Sequence, residues 1–429
     1  MFNHALRALY ADDMLTLAKR EPVPFNHEAF AKAAKRLYDE GKFTTDLLDT
    51  DEGRGLTEET YNALNGAISY SIQEETPSEL TAALRNNAFI FSGFKTYHQM
   101  REAGTLLTRE DGSVRSYGEF ESEVKRIDEK YNTQYLYAEY NHAVHTSQMA
   151  AKWHEWEKDG DEYNLQYRTA GDERVREAHA ALDGVTLPPS DKFWNSYLPP
   201  NGWNCRCQVV QVLRDDYKQS NSDQATEWGD ACTSDPKAKM FRYNAGKEMK
   251  LFPPKHPYLP KGCGDCTRRS STLLLTKPDK TLPQCNACGA IVNQCIMRQN
   301  REIRSWSQTN IPEKTGWKIQ GENFVTGSMD ITRKSVKGVL GHTLNMAVRN
   351  SMYGIQTGAL RYRYIGWKET DGGKHPDATY FTYYEVEIAG RKYYANVIAS
   401  KSRKSEVLYC IYEKCDLGRL HHDAPPKIE

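Results

Sequence analysis

Apolar residues return every three or four positions in several stretches of the first 160 residues, and every second position through much of the last 70. In 25–38, Phe30, Ala33, Ala34 and Leu37 share one helical face, and in 57–72 Leu64, Ala67 and Ile68 do the same. Thr57 followed by Glu58 and Glu59 supplies a start for the second helix, with acid where the helix dipole favours it. A further helix is predicted over 131–157, with Leu136, Tyr140, Val144, Ser147 and Ala151 on one face and Gly160-Asp161 as its stop. Residues 163–169 alternate as a short strand, 172–181 return to helix, and 207–213 form a β-branched closing strand. Between them, the prolines of 187–203 force extended or turning backbone, because proline fixes φ and lacks an N–H. The polar stretch 214–239 reads as a linker or surface excursion. A helical pattern over 331–352 precedes four alternating runs, 359–367, 379–388, 392–400 and 407–412, with Ala389-Gly390 as a hairpin turn.

These patterns divide the chain into a helical region (1–130), a small α+β core (131–250), a cysteine-bearing segment (251–299) and a helix followed by an antiparallel β meander (300–429). The expected class is therefore a multidomain α+β protein, and 429 residues suffice for two or three cores. Charge supports separate parts. The chain as a whole carries 57 basic and 57 acidic residues, whereas from Arg301 onward there are 20 basic against 14 acidic. A mean hydropathy of −0.75 and 26 tyrosines point to a soluble, Tyr-rich surface. No run approaches the roughly 18 apolar residues of a membrane span, so no membrane partner is expected. The first 20 residues are amphipathic but broken by Asp12 and Asp13, which argues against a signal peptide.

Four of the ten cysteines fall in two C-x-x-C pairs, Cys263 with Cys266 and Cys285 with Cys288. Two residues between thiolates let both sulfurs turn onto one ion, and the separation of the pairs suits a zinc ribbon. Four cysteines leave no open coordination position, so the zinc expected here is structural. Two disulfides or unligated thiols are the competing reading. The metal reading fits a reducing cytosol.

The most specific stretch is 175–212. In order it holds Arg176 with His179, Leu182-Asp183-Gly184, Asp191 with Phe193-Trp194, Pro199-Pro200 and Cys205-Arg206-Cys207. This ordered set resembles the signature of the phage Mu F-like minor head proteins, the phage head morphogenesis family. The resemblance implies a morphogenetic rather than enzymatic role. Its partners would be the portal and major capsid proteins, with localisation in the virion head and, during assembly, the host cytoplasm. His179 with Cys205 and Cys207 admits three readings: a metal site, small apolar cysteines packed beside a hydrogen-bonded histidine, or redox chemistry.

In element order and basic composition, 300–429 resembles ribonuclease toxins of the barnase, EndoU, colicin and RelE-like group. This implies an alternative function, RNA cleavage delivered by the head-protein module; the competing reading is a non-catalytic binding domain within a virion assembly protein. That chemistry needs a general acid and base plus a cation at the phosphate. His342, His375 and Lys392 are the catalytic candidates. Lys401 and Arg403 would grip phosphate, and Tyr384 and Tyr394 would stack bases, with phage DNA or host RNA as partner.

Overall fold

The computed structural model describes residues 23–259, 283–343, 345–355, 360–370, 373–388 and 390–428. The described residues divide into two compact units, 23–259 with 283–292, and those from 293 onward.

The first unit opens with helices α1 (His27–Glu40), α2 (Asp51–Ser71), α3 (Ser78–Gly104), α4 (Tyr117–Asp128) and α5 (Leu136–Asp159). Helix α1 buries Phe30, Ala33, Ala34 and Leu37, the face expected from spacing. Helix α2 starts earlier than Thr57. Thr50 is its N-cap, accepting from the Gly53 amide, while Thr57 lies buried and bonds Thr96 on α3.

Helix α5 departs more. A π-helical turn over Glu129–Tyr135 precedes it, and its buried face carries Glu139, His142, Thr146, Met149 and Trp153. Tyr140, Val144 and Ala151 are only half-buried. Polar side chains on the inner face hid its true orientation from a hydrophobic count. They are accommodated by partners: Lys95 of α3 and Glu139 form a fully buried ion pair at 2.5 Å, and His142 Nε2 lies 3.2 Å from the Tyr243 hydroxyl.

Beyond α5 the chain builds a three-stranded antiparallel sheet in the order β2-β1-β3, from β1 (Tyr163–Arg168), β2 (Thr186–Leu187) and β3 (Gln208–Leu213). Short helices α6 (Glu177–Ala180) and α7 (Trp194–Tyr197) lie in the connections. Next come α8 (Ser222–Cys232) and α9 (Ala245–Glu248). Helix α8 corrects the linker assigned to 214–239. It buries Ala225 and Cys232 in the same core as Met149, Trp153, Leu165, Trp194 and Val209.

Helix α10 spans Pro283–Asn310. Cys285 and Cys288 therefore stand on a helix rather than in a ribbon knuckle, while Cys263 and Cys266 lie outside the described residues.

The second unit contains β4 (Trp317–Gln320), β5 (Ser328–Ile331), α11 (Arg333–His342), α12 (Met346–Asn350), β6 (Tyr362–Glu369), β7 (Ala378–Ile388), β8 (Arg391–Ser400) and β9 (Ser405–Tyr412). They form one six-stranded sheet in the order β4-β5-β9-β8-β7-β6. The four-stranded meander is present. It is extended by β4 and β5, and β5 pairs with β9 in parallel, so the sheet is mixed. The single helix expected over 331–352 splits because Thr332 caps α11 and Asn345 caps α12. Among the described residues, no helix is long and apolar enough to cross a membrane.

Candidate functional site

The residues of 175–212 converge around the small sheet. Extended backbone places positions i and i+2 on one side, so Cys205 and Cys207 face inward while Arg206 faces out. Arg206 forms a two-point ion pair with Asp172. Asn204, just before, adopts a left-handed φ of 51°, a conformation asparagine tolerates, and Asn141 of α5 donates to its side chain at 2.9 Å. His179 comes from the last turn of α6, which the Arg176 guanidinium steadies by donating to the Trp203 carbonyl at 2.9 Å.

Asp183 accepts from both the amide and hydroxyl of Thr169, at 2.7 and 2.9 Å. Gly184 follows at φ +79°, where a side chain would be strained. Asp191 accepts from the Phe193 amide, and Trp194 is fully buried. Pro200 is buried behind a cis Pro199–Pro200 bond.

The His179 Nδ1 lies 3.5 Å from the Cys205 sulfur and 3.7 Å from that of Cys207. All three side chains are buried, and their ligand atoms lie within 4.8 Å of one another, a cluster that can hold a metal ion. The two thiols are not disulfide-bonded. Burial alone would lower the His179 pKa, but hydrogen bonds with Cys205 and Cys232 outweigh it and lift it to about 9. A hydrogen bond with Cys207, aided by His179 and opposed by burial, holds the Cys205 thiol well below the usual range. The same contact with Cys205, together with burial, pushes Cys207 up.

Two neighbours of the cluster were not among the expected site residues. Tyr167 on β1 interacts with Cys207 and donates to Asn201 at 2.8 Å. Cys232 ends α8, and the spacing of Ala225, Gly229 and Cys232 along one helical face was the available clue.

In the second unit, two of the three catalytic candidates meet. His342 Nε2 is 3.1 Å from the Tyr409 hydroxyl, and the His375 ring lies 4.8 Å from the Tyr409 ring. Lys392 does not join them. It pairs with Glu385 toward the far end of β7, roughly seven residues or about 23 Å along the strand from the end that follows His375. Arg403 is spent on the Lys314 and Thr315 carbonyls, whereas Lys401 is exposed. Tyr384 is wholly buried and donates to Glu406 at 2.6 Å, which removes it as a base-stacking surface. Tyr394 stays half-buried on β8, opposite Glu385 and Tyr412.

Comparison with known proteins falls on the first of these regions. Residues 112–210 match the family described as Phage Mu protein F like protein. The chain is 38% identical over 71 residues to the putative capsid assembly protein F of Escherichia phage Mu, covering 16% of each chain. It is 35% identical over 65 residues to the Mu-like prophage FluMu F protein of Haemophilus influenzae, covering 15% of this chain and 16% of that one. The matched stretch thus spans about a sixth of the length of these relatives. No solved structure matches. The head-protein resemblance read from 175–212 is borne out as a similarity of residues 112–210 to that family.

Proposed function

We propose that this chain is a phage or prophage head morphogenesis protein that associates with portal and major capsid proteins and enters the virion head after synthesis in the host cytoplasm. One observation carries this reading. The family-matched segment, 112–210, coincides with α4, α5 and most of the small sheet, and the rare residues of its motif serve to hold one loop system in place. Such use of Arg176, His179, Asp183 and Trp194 suits a binding scaffold, because each side chain is committed to internal geometry.

The test is co-production of the full chain with the portal and major capsid proteins of the same phage, followed by purification of heads. The chain should co-purify with heads at low copy. A folded chain that is absent from the purified heads would overturn the proposal.

The zinc site proposed at Cys263, Cys266, Cys285 and Cys288 rests on spacing alone. The alternative, an RNA-cleaving tail, rests on element order and basic composition. The family match ends at residue 210, and the candidate trio of His342, His375 and Lys392 is not assembled.

A further inference from the structure

We propose that His179, Cys205 and Cys207 bind a single structural zinc ion, with Cys232 as the fourth donor. The inference stands on geometry and is independent of the head-assembly reading. Zinc bonds of about 2.3 Å to sulfur and about 2.0 Å to nitrogen, set at a tetrahedral angle, separate the two donors by about 3.6 Å. The observed sulfur–Nδ1 distances of 3.5 and 3.7 Å bracket that edge.

The arrangement is also hard to explain by hydrogen bonding alone. Nδ1 has one in-plane lone pair or one proton, so it can serve one thiol well, yet two sulfurs approach it almost equally. An ion on the lone-pair axis meets both. The backbone is shaped to this end. The left-handed Asn204 turns the chain so that both sulfurs of the C-x-C face His179, and Arg206, directed the opposite way, places its positive charge where it acts on both thiols.

Cys232 ends α8, an element distant in sequence, and is buried in the same cluster as Cys205 and Cys207. A Cys3His set is closed, which fits the depth of the cluster and assigns the zinc to structure. The ion would tie α6, the proline-rich loop, the start of β3 and the end of α8 to one point.

The test uses the full chain, purified under reducing conditions, with zinc content measured by mass spectrometry and cobalt used as a spectroscopic substitute. The intact chain should hold an equivalent of zinc that the Cys205→Ser/Cys207→Ser variant loses and the Cys263→Ser/Cys266→Ser variant keeps. Cobalt should give the intense visible bands of a tetrahedral, sulfur-rich site, and these should weaken in Cys232→Ser. Because the double variant can also lose zinc by failing to fold, His179→Cys serves as the control. It exchanges one zinc donor for another and should retain the equivalent. Unchanged zinc in Cys205→Ser/Cys207→Ser would overturn the site, as would a folded native chain that holds no zinc. An unchanged cobalt spectrum in Cys232→Ser would overturn the fourth-donor assignment.

Discussion

Asp183 shows how a single residue of the motif earns its place. One carboxylate oxygen accepts from both the backbone and the hydroxyl of Thr169, and so ties the end of β1 to the turn that leads into β2. Asp183→Ala leaves Thr169 to water, because the site is open to solvent, so the cost should be modest. A loss of about 1 kcal/mol is expected, read as a lower midpoint in chemical denaturation. The identity of such residues was legible in the sequence, since an ordered Arg-His-Asp-Gly-Trp-Cys set stood out. Their roles were not, because nothing in the spacing says that Arg176 reaches the Trp203 carbonyl 27 positions away.

At the scale of elements, the contact between α11 and β9 is set by one missing side chain. A Cβ on Gly338 would lie 2.3 Å from the Tyr409 carbonyl oxygen, closer than any real contact, and backbone cannot swing aside. Gly338→Ala should therefore lift α11 from the sheet at a cost of about 1–3 kcal/mol, measured by thermal unfolding. It should also disturb the bond between His342 and the Tyr409 hydroxyl.

The sequence made α1 and the strands of the meander readable because their inner faces are apolar. Helix α5 was misoriented, and α8 was missed, for the opposite reason. The inner face of α5 carries Glu139, His142 and Thr146, and that of α8 offers little beyond alanine, glycine and cysteine. Strands β4 and β5 are four residues each, too short for alternation to announce them.

At the scale of the molecule, the two units should respond differently to acid. Burial lowers His98 and His142 of the first unit from 6.5 to about 3, and pushes His256 well down as well. Folded values below the unfolded ones mean that the unfolded chain takes up protons first as pH falls. The stability these histidines protect is complete above pH 6.5 and is lost progressively as pH falls from there toward 3. At pH 5, His98 and His142 should each remove about 2 kcal/mol. In the second unit His342, His421 and His422 lie at the surface. Calorimetry at pH 7.5 and pH 5 should accordingly show two transitions, with the one from the first unit moving down further. Equal movement of both would refute the assignment.

Sequence by itself determined the helical character of the early chain, the β-rich end and the head-protein motif, because each is written in local periodicity or in an ordered run of rare residues. Tertiary structure alone decided the rest. It brought His179 to Cys205 and Cys207 and set Cys232 beside them. It paired β5 in parallel with β9 and buried Lys95 against Glu139. The physical reason is common to all of these. They are contacts between residues far apart in the chain, and they hold where burial makes each polar group depend on a partner that spacing cannot name.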